Sequence, residues 1–217
     1  MRRTALLPLL ALALASGQAL QAQQPHLGFT IDLIQPTGDF DSKTYPPTTN
    51  VLTPQTESYD VGLGAAFTVS FPLERAVAIR MNLNFNSNDG KNTAPGYATL
   101  DIRHTMFNVG GDIQIFPGQG AFRHRGFYFL GGISADFETF EQRDPSYNYY
   151  YYYDNYYTTD RKSRMGGQIG FGHSFGGDAG ARFTLELLYH TSLSAHDTNA
   201  GDPPATSYVK AGFGWVF

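Results

Sequence analysis

The residues best suited to catalysis lie in the tetrapeptide YHTS, in which His190 and Ser192 stand two positions apart. Histidine and serine serve as base and nucleophile in many hydrolases, which also need a carboxylate to orient the histidine. Asp197 and Asp202 follow in the next connection and could supply one. Residues two apart on a strand share a face, however, and here that face is polar and includes Glu186. Membership of a polar network is therefore the competing interpretation.

Charged side chains also recur on the polar faces of the predicted strands. Four anions and three cations belong to this set: Asp32, Arg80, Asp112, Asp136, Arg182, Glu186 and Lys210. Because an unpaired charge away from bulk water is costly, neighbouring charges of opposite sign are expected to form hydrogen-bonded pairs. The set predicts a polar plug inside the protein, with a narrow ion path as the alternative.

Metal, cofactor and nucleic-acid sites are not indicated by the sequence. The histidines at positions 104, 124, 173, 190 and 196 show neither H-x-x-H-like nor HExxH spacing on one element. The chain has no cysteine, which excludes thiolate ligands and disulfides. His124 falls in a short turn, and His173 shares the parity of apolar neighbours. A formal charge of −4 argues against nucleic acid as a partner, and we expect no cofactor.

The stretch SYNYYYYYDNYY holds eight of the 14 tyrosines in the chain. They are Tyr147, Tyr149, Tyr150, Tyr151, Tyr152, Tyr153, Tyr156 and Tyr157. Tyrosine gives a large, rigid contact area at low entropic cost. The segment is interpreted either as a surface loop whose rings lie among lipid headgroups or as a contact surface for an extracellular ligand.

The N-terminus predicts export. Arg2 and Arg3 precede the apolar stretch ALLPLLALALA, and small residues follow up to Ala22, as in a secretory signal peptide. The apolar stretch is shorter than the ~20 residues of a membrane-spanning helix, so a helical anchor is the weaker alternative. We assign residues 1–22 to a signal peptide and residues 23–217 to one domain.

Most of the remaining chain alternates apolar and polar residues, which is the pattern of β-strands. Eight such segments cover residues 26–34, 58–71, 76–87, 99–116, 126–140, 164–176, 181–194 and 206–217. In the second segment, Tyr59 shares the parity of the apolar residues. In the fourth, the apolar parity changes between Ile102 and Phe107, which predicts either a bulge or a strand start near His104 to Met106.

The connections between these segments alternate between short and long. The long ones cover residues 35–57, 88–98, 141–163 and 195–205. Strict alternation is typical of an up-and-down barrel with tight turns at one rim and long loops at the other. A hairpin hidden in the first long connection would give ten strands instead of eight.

The polar faces favour a membrane barrel over a soluble sandwich or lipocalin-type barrel. They carry glycines such as Gly62, Gly166, Gly172 and Gly212 among the charges. Glycine weakens an exposed strand, but inside a narrow barrel it leaves room for long charged side chains. The opposite faces are large and aromatic, as in a lipid-facing band. We therefore predict an all-β fold, an eight-stranded antiparallel up-and-down transmembrane β-barrel.

The last strand carries a resemblance to a known signal. Lys210, Gly212, Trp215 and Phe217 are similar to the terminal pattern by which the assembly machinery recognises bacterial outer-membrane barrels. The mature chain resembles the small outer-membrane β-barrel superfamily that includes the OmpA-like transmembrane domain and the OmpX and OmpW families. The resemblance implies the outer membrane of a Gram-negative cell, a periplasmic N-terminus, extracellular long loops, and contact with lipid, lipopolysaccharide and the assembly machinery.

The segment with His190 and Ser192 also resembles the lipid A 3-O-deacylase family, in which serine is the nucleophile, histidine the base and glutamate the orienting acid. In this chain no glutamate follows the serine, and the alternation turns both residues inward, away from lipid. Our prediction is a non-catalytic barrel with a structural or surface-interaction role. A lipid hydrolase and a small-solute channel are the alternatives.

Overall fold

A computed structural model describes residues 24–45, 54–97, 99–118, 120–143, 157–176, 180–193 and 205–217. The predicted signal peptide and residues 146–156 of the tyrosine-rich stretch lie outside these ranges, as do Asp197 and Asp202. Within them, no helix is long and apolar enough to cross a membrane.

The described chain is built almost entirely of antiparallel strands. The strands are β1 (His26–Pro36), β2 (Ser42–Tyr45), β3 (Gln55–Tyr59), β4 (Gly62–Pro72), β5 (Val77–Thr93), β6 (Leu100–Ile115), β7 (Gly126–Arg143), β8 (Tyr157–Phe175), β9 (Arg182–Ser192) and β10 (Ser207–Val216). Two three-residue 3₁₀ helices, Gly38–Phe40 and Ala121–Arg123, interrupt them.

Eight of these strands close into a barrel. β1 pairs with β4 on one side and with β10 on the other, and each strand from β4 to β10 pairs with the next along the chain. The wall therefore consists of β1 and β4 to β10, which confirms the predicted eight-stranded antiparallel barrel. The first long connection does contain a hairpin, β2–β3, but β3 pairs with the far end of β5 and lengthens the wall without widening it.

β3 and β4 form one wall strand that is interrupted by a bulge. Tyr59 pairs with Gly90 and Leu63 pairs with Ser87, so four steps along one strand match three along the other. One extra residue reverses the side-chain parity. Tyr59 therefore points into the barrel and is 6% exposed, whereas Leu63 points outward and is 62% exposed. The prediction that Tyr59 shares the apolar outer face was wrong.

Neither the bulge nor the strand start predicted near His104 to Met106 is present. β6 pairs without a break with β5 from Leu100 to Ile115 and with β7 from Asp101 to Ile115. Ile102 and Met106 are buried inside the barrel instead. The apolar parity changes in the sequence because the interior of the barrel is apolar at its outer end, so that apolar side chains face inward there and outward elsewhere.

The barrel is apolar outside and polar inside. Leu63, Phe85 and Ile169 are more than half exposed on its outer surface, whereas Asp112 and Asp136 are no more than 2% exposed in its interior. A soluble barrel has the opposite distribution, since it hides its apolar face from water. This distribution is that of an outer-membrane β-barrel.

The outward side chains of β5, β6 and β7 mark the boundary of the apolar band at the end where the long connections leave, here called the outer end. Three rows follow one another in register, first of phenylalanine, then of hydroxyls and then of charges: Phe85, Phe107 and Phe137; Ser87, Thr105 and Thr139; Asp89, Arg103 and Glu141. An aromatic girdle followed by polar residues is expected where a membrane barrel leaves the hydrocarbon. The strands thus extend beyond the membrane at this end.

Candidate functional site

A network of paired charges fills the middle of the barrel interior. Arg80 on β5 lies between two carboxylates, with its Nε 2.9 Å from Asp112 Oδ2 and its Nη1 2.5 Å from Glu186 Oε1. Asp112 is the cross-strand neighbour of Arg80 on β6, whereas Glu186 reaches it from β9 across the interior. All three side chains are at most 7% exposed, so each charge depends on the others for stabilisation.

The two carboxylates that bind Arg80 also accept hydrogen bonds from neutral donors. The Asn82 amide donates to Asp112 Oδ2 over 2.9 Å and the Gln168 amide donates to Oδ1 over 2.5 Å. The Tyr128 hydroxyl donates to Glu186 Oε1 over 2.5 Å. Hydrogen bonds to an ionised group are stronger than those between neutral groups. The network therefore holds its charges in fixed positions, which is the behaviour of a plug.

Two further pairs extend this network towards the outer end. Lys210 Nζ lies 3.2 Å from Asp32 Oδ2 and donates to Asn84 Oδ1 over 3.1 Å. His190 Nε2 lies 3.0 Å from Asp136 Oδ2. The His190 ring also stacks on Tyr208 at a centroid distance of 4.8 Å.

Six of the seven charged residues predicted for the interior meet in these pairs, and Arg182 does not. Arg182 is 6% exposed near the inner end, and its Nε has no hydrogen-bond partner among the described residues. The prediction missed Glu138 on β7, whose carboxylate lies 3.5 Å from Arg164 Nη1. Its parity with Asp136 could have identified it, since residues two apart on a strand share a face.

An aromatic cluster closes the inner end of the barrel. The 3₁₀ helix Ala121–Arg123 leads into His124, whose backbone is left-handed (φ 44°) and whose ring is buried. His124 Nδ1 lies 2.9 Å from Ser174 Oγ, and its ring meets Tyr128 and Phe116 edge-on at 5.3 and 5.4 Å. The sequence placed His124 correctly in a turn but gave no sign that the turn folds into the barrel.

Burial of His124 makes the inner closure sensitive to pH. Loss of solvent lowers the pKa of His124 to about 3 from its usual value of 6.5, because the charged form is poorly solvated there. Its contribution to stability is thus complete above pH 6.5 and is lost as the pH falls towards 3.

We expect His124→Asn to remove this pH dependence. Asparagine tolerates the left-handed backbone and retains a polar amide without a titrating group. Between pH 7.5 and 5, urea unfolding should show the wild type losing about 2 kcal/mol more than the variant. Equal losses in the two proteins would contradict this account, because they would mean that unfolding does not lead His124 to take up a proton in this pH range.

A second aromatic cluster closes the outer end. The 3₁₀ helix Gly38–Phe40 lies between β1 and β2 and turns Phe40 into the barrel, where it is fully buried. Phe40 stacks on Tyr59 at 4.7 Å and meets His104 edge-on at 4.8 Å. Phe140 also packs on His104, at a centroid distance of 4.6 Å. The described interior is therefore closed at both ends, with the charge network between the closures.

The candidate catalytic residues His190 and Ser192 are turned inward and are not hydrogen-bonded to each other. His190 Nε2 is engaged by Asp136, while His190 Nδ1 and Ser192 Oγ have no hydrogen-bond partner among the described residues. A serine nucleophile needs contact with its base. The parts of the chain that are described also contain no group of three or more His, Asp or Glu side chains able to hold a metal ion.

The residues that resemble an assembly signal lie on both faces of β10. Lys210 and Gly212 face the interior, where Gly212 packs against Asp32. Trp215 and Phe217 face outward and are 38% and 64% exposed. β10 closes the barrel against β1, and Phe217 exchanges two backbone hydrogen bonds with Leu27.

No protein-family model matches the chain, and no curated protein sequence matches it. Solved structures similar to it include Ail, the attachment invasion locus protein of Yersinia pestis, in complex with the heparin analogue sucrose octasulfate (9% identity over 89% of this chain and 96% of that chain, TM-score 0.49). The outer membrane protein OprG from Pseudomonas aeruginosa is another (11% identity, 89% and 95%, TM-score 0.49). A third is the N-terminal β-barrel domain of OprF from Pseudomonas aeruginosa (10% identity, 89% and 100%, TM-score 0.30). The function proposed below therefore rests on the residues of this chain.

Proposed function

We propose that this protein is a non-catalytic, non-conducting outer-membrane barrel that presents a surface for interaction outside the membrane. The double closure of the interior is the observation that supports this role. A solute crossing the barrel would have to displace Phe40 at one end, His124 at the other and the paired charges around Arg80 between them. An eight-stranded barrel leaves little free interior even without such closures.

The wall of the barrel is uneven in height, and this favours interaction on one side. β5 to β8 are 16 to 19 residues long, whereas β9 and β10 are 11 and 10 residues long. At 3.2–3.4 Å per residue, the longer strands project well past the shorter ones. The hairpin β2–β3 joins the projecting side through β5. The result is a twisted sheet beyond the membrane that is suited to contact a partner.

The tyrosine-rich stretch connects the two longest strands of this projecting side, β7 and β8. In the sequence, the stretch lies between the outer ends of these two strands and contains Tyr147, Tyr149 to Tyr153, Tyr156 and Tyr157. Tyrosine is favoured at recognition surfaces because its ring is large, rigid and amphipathic. We propose that an extracellular ligand or cell surface is contacted here.

The proposed lack of conduction is tested directly in planar lipid bilayers. The purified wild-type protein should produce no discrete conductance steps across the applied voltages, because Phe40, His124 and the paired charges around Arg80 occupy the interior. A general porin inserted in the same bilayers is the control for detection. Reproducible unitary steps from the wild-type protein would contradict the proposal and favour the channel alternative.

Contact through the tyrosine-rich stretch is tested by deleting residues 146–156 and joining the ends with a short Gly-Ser linker. The barrel should still fold, because its wall is paired without these residues. Binding to host cells, glycan arrays or surface proteins should fall to background. A second variant replaces the seven tyrosines of residues 146–156 and Tyr157 by serine, which keeps the length of the connection. Unchanged binding by both variants would exclude this stretch as the contact surface.

A further inference from the structure

Two neighbouring turns at the inner end of the barrel carry three arginines. One is the β4–β5 turn with Arg75, and the other is the β6–β7 connection with Arg123 and Arg125. All three residues are exposed. Glu74 is the one acidic residue in the sequence of these two turns, so three arginines against one glutamate leave this inner rim, defined here by the three arginines, with a net positive charge.

Backbone hydrogen bonds hold the two turns together. Ala121 N donates to Arg75 O over 2.9 Å, and Phe116 N donates to Ala76 O over 2.7 Å. Within the second turn, Arg125 N donates to Gly120 O over 3.0 Å. The three arginines therefore branch from one hydrogen-bonded pair of turns, here called the platform.

Exposed apolar side chains place this platform at the edge of the membrane. Leu73 in the first turn is 46% exposed and Phe122 in the second is 37% exposed. His26 at the start of β1 anchors the second turn, since its Nε2 lies 3.0 Å from the carbonyl oxygen of Phe122. An apolar ring next to an arginine favours the boundary where hydrocarbon meets the headgroups, because the ring can enter the hydrocarbon while the guanidinium stays among the headgroups.

We propose that the inner rim binds the phosphates of anionic phospholipids in the leaflet that faces it. Guanidinium groups bind phosphate oxygens in a bidentate manner, and clustered cations near a membrane surface attract anionic lipid. A headgroup with two phosphates can contact more of the three arginines than a headgroup with one. This binding site is separate from the outer surface to which the proposed function assigns contact with partners.

Lipid binding at the inner rim would also hold the inner closure in place. Arg123 and Arg125 are the two sequence neighbours of His124, whose ring closes the inner end. A phosphate bound to both arginines would fix the turn from the outside while Ser174 holds the His124 ring from the inside.

The test measures lipid selectivity of the full-length mature protein in vesicles. Wild-type protein is reconstituted in phosphatidylcholine, and the fraction of spin-labelled phosphatidylcholine, phosphatidylglycerol or cardiolipin restrained at the protein surface is measured. We expect about a fivefold preference for the anionic lipids, strongest for cardiolipin and reduced by high salt. The variant with Arg75→Gln, Arg123→Gln and Arg125→Gln should lose it.

A matched control changes the same number of charges at the outer end, through Lys43→Gln, Lys91→Gln and Arg103→Gln. This control should retain the preference, because it leaves the inner rim intact. Equal loss in both variants would show that net charge alone attracts the lipid and would overturn the proposal. The proposal would also be overturned if the wild-type protein showed no preference for anionic lipid, or if inorganic phosphate at millimolar concentration abolished that preference. None of these results depends on conduction or on the tyrosine-rich stretch.

Discussion

Replacing Arg80 with methionine should lower the free energy of unfolding of the barrel by about 3–5 kcal/mol. The substitution leaves Asp112 and Glu186 buried without the cation that neutralises them. Methionine is similar in length, so the loss reports the charge more than the packing. Urea unfolding in lipid vesicles measures the effect through the fluorescence of Trp215, the single tryptophan of the chain.

Two controls separate this cost from simple loss of an ion pair. Arg103 on the outer surface lies 2.7 Å from Asp89, and both side chains are more than half exposed. Arg103→Met should therefore cost less than about 1 kcal/mol. Adding Asp112→Asn and Glu186→Gln to Arg80→Met should recover much of the lost stability. A cost for Arg80→Met no larger than for Arg103→Met would contradict a closed charge network.

Valine at Gly166 should destabilise the protein by about 3 kcal/mol because the interior has no room for it. A Cβ atom at this position would collide with Asp136, with the ring of His190 and with Ser134 Oγ. The substitution must break the pair of Asp136 and His190 or displace β8. The same urea titration measures the loss.

Gly131 supplies the matched control for this substitution. It lies on the neighbouring strand β7, but a Cβ atom there would meet nothing closer than a carbonyl oxygen at 3.8 Å. Gly131→Val adds an apolar side chain on the lipid side and should be neutral or mildly stabilising. If both valine variants had the same stability, glycine would not be required in the interior to make room for charges.

Much of the barrel could be predicted from side-chain alternation. The strands have a period of two, so the parity of Leu185 and Glu186 already assigns one to lipid and the other to the interior. The prediction for Tyr59 failed because one extra residue reverses which face of the strand each following side chain occupies. The extra residue at Asp60 and Val61 reverses Tyr59 relative to Leu63, and nothing in the local residue types distinguishes that bulge from a regular strand.

The candidate site was predictable only in part, for a related reason. Parity identified charges such as Arg80 and Lys210 as interior residues, but it does not say which of them meet across the barrel. Both closures come from connections whose residue types do not reveal their direction. Phe40 and His124 enter the barrel because short 3₁₀ helices turn them inward, and such turns have no periodic sequence pattern.

The central claim is that a polar, closed interior lies within an apolar wall. Single cysteines at positions 133, 134 and 192 test this claim most directly. The chain has no cysteine of its own, so Ile133→Cys, Ser134→Cys and Ser192→Cys each give one label site. In vesicles, a lipid-soluble maleimide should label position 133 rapidly and leave positions 134 and 192 unlabelled. Rapid labelling of positions 134 and 192 from the lipid phase, with position 133 protected, would contradict the account and restore the lipid hydrolase as an explanation.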